Sequence, residues 1–213
     1  MNTPPLHDAA PDSLLALLHT RLQAEPGRRL ILGLAGAPGA GKSTLAQALA
    51  QALPGRAVVV PMDGFHLAGS ELARLGLAAR KGAQDTFDSA GYVALLRRLR
   101  QRAPGEVIYA PDYRRDLHEA VAGAIAVAPQ VELVITEGNY LFLDQGRWSE
   151  VRALLDLAWY VDPDPLLRRQ RLEQRHVRFG SSGAQARQWI EQTDEPNARL
   201  IETTRRRADL LLR

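Results

Sequence analysis

The stretch GLAGAPGAGKSTLAQAL, residues 33–49, joins an apolar run, RLILGLAG (29–36), to KSTLAQALAQAL (42–53), whose apolar residues recur at helical spacing. Gly36, Gly41, Lys42 and Ser43 fit the pattern G-x-x-x-x-G-K-[ST], between an expected strand and an expected helix. Glycines let such a loop curl until successive N–H groups point inward at phosphate oxygens, and the following helix adds its positive end. The candidate nucleotide-binding set is therefore Gly36, Ala37, Pro38, Gly39, Ala40, Gly41, Lys42, Ser43 and Thr44. Lys42 is expected to reach the β- and γ-phosphates, and the Ser43 hydroxyl to ligate Mg²⁺. A glycine turn that merely packs helix on strand would have no need of Lys42.

Outward from that junction, short apolar runs alternate with helical patterns. Strands are expected at 29–36, 56–64, 106–113, 131–140 and 157–163, with a further candidate at 208–212. Helices are expected in 42–53, 90–102, 147–157 and 165–176. Alternation of this kind predicts an α/β fold with a mostly parallel sheet covered by helices on both faces. In such sheets ligands bind beyond the carboxyl ends of the strands. The first dozen residues, MNTPPLHDAAPD, read as a loose arm, followed by an amphipathic packing helix within 1–28. Residues 66–90, rich in Gly and Ala, read as an excursion over the active edge.

With 213 residues, 46% of them hydrophobic, the chain is long enough for one domain with a sizeable core. It contains no cysteine, which excludes disulfides and thiolate metal sites and suits a reducing, cytoplasmic setting. The apolar stretch DSLLALLHTRL is interrupted by His19 and Arg21 and reads neither as a signal peptide nor as a membrane span. Lysine occurs only at Lys42 and Lys81, and the numerous arginines are dispersed among acids, so a nucleic-acid partner is not expected. A homodimer stays open.

Two more strand ends narrow the chemistry. Asp63 follows VVVPM, and Glu137 follows LVIT, so a parallel sheet would bring both carboxylates to the edge that holds the phosphate loop. An aspartate there can accept the proton of a hydroxyl attacking the γ-phosphate, and a glutamate can hold Mg²⁺ through water. A turn-forming aspartate before glycine would equally account for Asp63. His66 falls either in the site or in an ordinary loop. Arg168, Arg171, Arg175 and Arg178 recur at spacings of three, four and three, which aligns them along one helix. Like charges so placed call for an anionic partner, and a lid over residues 164–183 closing arginines onto ATP would supply it. A solvated basic face would also fit.

The order GxxxxGKST, MDGFH, TFD, TEGNYL, an arginine-rich segment and TTRRRADLLL resembles the phosphoribulokinase, uridine kinase and type I pantothenate kinase family of P-loop kinases. It looks closest to bacterial members labelled nucleoside/nucleotide kinase or fructose transport system kinase. The resemblance spans 29–212 and implies a magnesium-dependent ATP phosphotransferase with a small hydroxyl-bearing metabolite as acceptor. It maps the catalytic acid onto Asp63 and a substrate-side or magnesium carboxylate onto Glu137, with Arg171 and Arg175 brought toward the phosphates. Acceptor contacts would come from His66, from Arg80, Lys81 and Asp88 in RKGAQDTFD, and from Tyr113 and Arg115 in APDYRRD. An adenine contact is expected near Asn197. Arg114 stands where fructose-kinase-labelled relatives carry an aspartate, so nucleoside-, pantothenate- and sugar-like acceptors all remain open.

Other nucleotide-binding classes fit less well. DSAG at 88–91 fits D-x-x-G but follows no apolar strand, and no Asn-Lys-x-Asp base-reading motif occurs, which argues against a regulatory GTPase. No strand ends in an Asp-Glu pair as in transport ATPases. A non-catalytic nucleotide-binding module would keep the phosphate loop but have no use for Asp63 or an arginine lid, and a P-loop ATPase or nucleotide-dependent regulatory protein without a small-molecule acceptor is the remaining alternative.

Overall fold

A computed structural model describes residues 4–213. In chain order its elements are β1 (Leu6–His7), α1 (Pro11–Ala24), β2 (Leu30–Ala35), α2 (Lys42–Gln51), β3 (Ala57–Val59), α3 (Gly69–Arg74), α4 (Ser89–Gln101), β4 (Ile108–Arg114), β5 (Glu119–Val127), β6 (Leu133–Gly138), β7 (Leu157–Val161), α5 (Pro165–Arg178), α6 (Gly183–Trp189), α7 (Glu195–Glu202) and β8 (Leu210–Leu212). Six strands form one sheet in the order β1-β8-β7-β2-β6-β3, every pairing parallel.

Strand periodicity sorts the core into two layers. Leu30, Leu32 and Leu34 of β2, Leu133 and Ile135 of β6 and Trp159 of β7 face α1 and α2, meeting Leu14, Leu18, Leu45 and Leu49. Ile31, Val134, Ala158 and Tyr160 point the other way, toward α4 and its Tyr92, Leu96 and Leu99. Both faces are thus covered, which is why β2 and the first half of β6, Leu133–Ile135, read as apolar runs instead of alternating. The helix starts follow local chemistry. Asp164 accepts from the N–H groups of Leu166 and Leu167 ahead of Pro165, and Ser182 with Gln185 forms a capping box on α6.

Three expectations need correction. The run expected to add a strand at 106–113 instead forms β4, paired antiparallel with β5 in a separate two-stranded ribbon. Only residues 115–118 connect the two, too short a link for a parallel crossover. β5 itself, EAVAGAIAV, is built from Ala and Gly as much as from β-branched residues and carries little strand signal. The expected helix at 147–157 is instead a pair of 3₁₀ turns, Gly146–Glu150 and Arg152–Leu154. That tight winding lodges the Trp148 ring among Phe87, Tyr92 and Tyr140, with centroids 5.7–5.9 Å apart, and lets its indole N–H donate to the Gln84 carbonyl at 3.1 Å. The N-terminal arm is not loose where it is described, because β1 extends the sheet. Leu211 N–H donates to the Pro5 carbonyl at 2.9 Å, and Ala9 N–H to that of Arg213 at 3.0 Å. Residues 1–3 of that arm lie outside the described residues. Among the described residues no helix is long and apolar enough to cross a membrane.

One buried charge ties the lower edge together. Arg29, only 2% exposed, donates to the carbonyls of Val131 (3.0 Å), Leu99 (3.3 Å) and Ala128 (2.9 Å), stitching β2 to the end of α4 and to the turn before β6. Arg29→Met keeps much of the aliphatic volume but strands the carbonyls of Val131 and Leu99, that of Ala128 keeping the Val131 N–H, so it is expected to lower the unfolding free energy by about 2 kcal/mol, read as a drop in the urea midpoint.

Candidate active site

The carboxyl ends of β2, β3 and β6 open into a cavity of about 1010 Å³. The loop after β2 curls beneath it. Gly39 has φ +79°, and a Cβ there would stand 2.6 Å from Leu172 Cγ and 2.8 Å from the Arg168 carbonyl oxygen, so α5 rests directly on the loop. Lys42, at the first turn of α2, is buried, and its ammonium donates to the carbonyls of Gly36 (2.9 Å) and Ala37 (3.1 Å) and to Asn139 Oδ1 (2.8 Å). Burial lowers the Lys42 pKa to about 8, with the Glu137 carboxylate opposing the shift.

Next to it, Ser43 Oγ donates to Glu137 Oε1 at 2.8 Å. Glu137 ends β6 and is buried, and desolvation together with the nearby Asp63 raises its pKa. These donors fit magnesium. The ligands are hard oxygens, a hydroxyl and a carboxylate, and a divalent cation would relieve the crowding of two carboxylates. Among the described residues no cluster of three or more His, Cys, Asp or Glu is placed to hold a metal ion. An ion here would accordingly keep waters and phosphate oxygens in its shell, as Mg²⁺ does.

Asp63 is carried by the 3₁₀ turn Met62–Phe65 just past β3, and its side chain remains one-third exposed to the cavity. Gly64 in that turn packs against the Pro111 backbone so closely that a Cβ would collide with it, which docks the β4–β5 ribbon beside Asp63. The ribbon thereby delivers Tyr113 and Arg115, with Arg115 Nη2 3.9 Å from Asp63 Oδ2. His66 lies 3.9 Å from Asp63 through Nε2, its ring stacked at 4.0 Å on Phe87 and 4.8 Å on Tyr113. Burial lowers the His66 pKa, and its Nδ1 has no hydrogen-bond partner.

The candidate residues from the sequence divide accordingly. Pro38, Lys42, Ser43, Asp63, His66, Lys81, Tyr113, Arg115, Glu137, Arg175 and Asn197 line this one cavity. Arg80 and Asp88 do not. Arg80 pairs with Asp85 at 2.9 Å, and Asp88 caps α4 by accepting from Gly91 N–H at 2.8 Å. The arginine file also splits. Arg168 is buried, donates to the Pro38 carbonyl at 3.2 Å and pairs with Glu195 at 2.5 Å, so it anchors α5 to the loop. Arg171 is exposed beside Gly41, and Arg178 is exposed away from the cavity lining, whereas Arg175 faces the cavity with its pKa lowered by burial.

Some lining residues carried no assignment from the sequence. Asn139 follows Glu137 and Gly138 directly, and a polar residue at a strand's carboxyl end was the available signal. His176 of α5 meets Asp194 at 2.8 Å across a gap of 18 residues. No local pattern announces that pair. Asp194 ends a π-helical turn, Ile190–Asp194, that joins α6 to α7, a feature frequent at functional sites.

Comparison with known proteins agrees with this geometry. The sequence profile described as "Phosphoribulokinase / Uridine kinase family" matches residues 31–213. The chain is 35% identical over 204 residues to the uncharacterised protein YggC of Escherichia coli K12, covering 93% of this chain and 84% of that one. It is also 35% identical over 176 residues to a Schizosaccharomyces pombe protein provisionally named a uridine kinase, covering 78% of this chain and 74% of that one. Among solved structures, a protein of Silicibacter sp. TM1040, provisionally named a fructose transport system kinase, superposes with a TM-score of 0.84 at 37% identity, covering 95% of this chain and 98% of that one. The chain therefore belongs to the phosphoribulokinase/uridine kinase family, P-loop enzymes that phosphorylate alcohol groups of small molecules.

Proposed function

We propose that the protein transfers the γ-phosphoryl group of Mg·ATP to a hydroxyl of a small metabolite, with Asp63 as proton acceptor. The observation that carries this is the convergence of Lys42, Ser43, Glu137 and Asp63 on one cavity, the first two from the phosphate loop and the others from two strand ends. A nucleotide-hydrolysing switch needs the loop and a magnesium carboxylate. It does not need a second carboxylate, Asp63, one-third exposed to the same cavity.

In this proposal the triphosphate lies on residues 36–44, and Lys42 and Arg175 offset its charge from opposite sides. Ser43 and Glu137 would hold Mg²⁺, which when bound supplies neutralisation between the phosphate groups. The acceptor hydroxyl lies against Asp63, which takes its proton as the new oxygen–phosphorus bond forms and ADP departs. Arg171 moves in from its exposed position when α5 tightens over the loop. Excluding water then favours transfer over hydrolysis.

The decisive experiment is ADP release from Mg·ATP with and without a panel of ribonucleosides, pantothenate, ketohexoses and pentoses, with Lys42→Ala as blank. Stimulation by one compound with a phosphorylated product supports the proposal. Lys42-dependent hydrolysis that no compound stimulates would favour the switch. Lys42→Ala is expected to abolish turnover, whereas Asp63→Asn is expected to bind Mg·ATP normally and lose about 10²–10⁴-fold in kcat. A near-normal kcat for Asp63→Asn would remove its assigned role.

Nucleotide affinity should also depend on pH in a defined direction. The ammonium form of Lys42 is the one that binds phosphate, and its free-state pKa is lowered to about 8. Bound phosphate raises that pKa, so affinity is full below about pH 8 and falls as pH rises through it. The slope approaches about tenfold per pH unit. Equilibrium titration with a non-hydrolysable ATP analogue measures it, and the alkaline fall should vanish in Lys42→Ala.

A further inference from the structure

Beyond Asp63 the cavity wall carries a charge pattern that the phosphoryl-transfer chemistry leaves unused. Basic side chains on the neighbouring segments are paired with carboxylates: Arg74 with Glu71 (2.6 Å), Arg80 with Asp85 (2.9 Å) and Arg114 with Asp116 (2.8 Å). Of the two that line the cavity, Lys81 has no carboxylate partner and Arg115 has only a distant one. Lys81 Nζ donates to the His118 carbonyl at 2.6 Å and sits 5.5 Å from the centre of the Tyr113 ring, and it makes no ion pair among the described residues. Arg115 comes only to 3.9 Å from Asp63, beyond hydrogen-bond distance, and rests 5.9 Å from the Phe179 ring.

Between Asp63 and Lys81 lies an aromatic floor, the rings of His66 and Tyr113, 4.8 Å apart and inclined at 52°. Neither ring offers negative charge. Of the carboxylates that line the cavity, only Asp63 comes within 4 Å of either cation, and the proposed reaction commits it to the hydroxyl. A neutral acceptor would give Lys81 no counter-charge and Arg115 none beyond Asp63, whereas an anion could pair with both.

We propose that the acceptor is a small hydroxy compound that also carries an anionic group, carboxylate or phosphate, bound by Lys81 and Arg115 while its hydroxyl lies at Asp63. This rests on the kinase reading and narrows it. The aromatic floor gives the carbon skeleton an apolar surface between its two polar ends, and Arg115, in reach of both, fixes the skeleton's direction. The Nζ of Lys81, a mobile point charge, suits either anion.

The test uses matched pairs that differ in the charged group: glycerate with glycerol, pantothenate with pantothenyl alcohol, and ribose 5-phosphate with ribose. Binding to the full chain loaded with Mg·ADP is measured by calorimetry, so that the phosphate loop is already filled, and phosphorylation is followed with Mg·ATP. At least one anionic member is expected to bind about tenfold or more tightly than its neutral counterpart, and whether it is an acid or a phosphate ester names the group. Lys81→Met is expected to weaken that anionic ligand about tenfold while moving the neutral one less than about twofold, and Lys81→Arg to stay within about threefold of the parent. The inference is overturned if a neutral member binds as well as its anionic counterpart, if no anionic member binds, or if Lys81→Met leaves the preference intact. Phosphorylation of a neutral member alone would leave the kinase standing and remove only the anionic group. Lys42-dependent hydrolysis with no phosphorylated product from any member would remove the kinase reading itself.

Discussion

The buried ammonium of Lys42 holds the site together. Its three acceptors come from two places in the chain, the carbonyls of Gly36 and Ala37 in the phosphate loop and the Asn139 amide just past β6. Because β2 and β6 are neighbours in register, with Ala35 opposite Gly138, the two segments leave the sheet side by side and can share one cation. A lysine this deeply buried is costly unless each proton finds an oxygen. Here all three do. The loop is thus shaped around a charge, and under the proposed function the same ammonium would exchange neutral carbonyl partners for phosphate oxygens.

That arrangement explains the electrostatics on its far side. Burial, and after it the nearby Asp63 carboxylate, push the Glu137 pKa up. Such crowding makes little sense as a stabilising device. It makes sense where a divalent cation is due, because a cation would restore the Glu137 charge and leave Asp63, the more exposed of the two, free to face solvent or an acceptor. The cost of the unliganded state is then part of the affinity for the liganded one. A site whose charges were already balanced would gain less on binding.

Much of this was legible in residues 33–49 and in the strand ends, since a glycine loop between strand and helix has few other uses and a parallel sheet sends its carboxyl ends to one edge. What was hidden was hidden for physical reasons. β5 escaped because Ala and Gly carry no strand signal and its stability comes from pairing with β4. β1 escaped because two residues are too few for periodicity, although Leu6 and His7 pair with Leu211 and Leu212. Asp88 looked like a site residue because the TFD motif presents it, but a helix cap and a ligand contact use the same carboxylate chemistry. The pairing of His176 with Asp194 depends on how α5 and the π-helical turn fold together, and no local sequence pattern encodes it.

The arginine file on α5 shows how spacing can be right about geometry and wrong about uniformity. Spacings of three and four do align Arg168, Arg171 and Arg175, yet an α5 that lies on the loop cannot present them equally. Arg168 and Leu172 are the residues turned into the contact at Gly39, so Arg168 is consumed as an anchor between the Pro38 carbonyl and Glu195. One turn further, Arg175 has cleared the loop and reaches the cavity, while Arg171 lies to the side with its guanidinium near Gly41. The three arginines therefore have different surroundings: Arg168 the Glu195 carboxylate, Arg171 solvent, and Arg175 the cavity. α5 is thus held at its N-terminal half, where Arg168 is anchored and Leu172 stands so close to Gly39 that a Cβ there would strike it, and it carries Arg175, the member of the file that lines the cavity, near its other end.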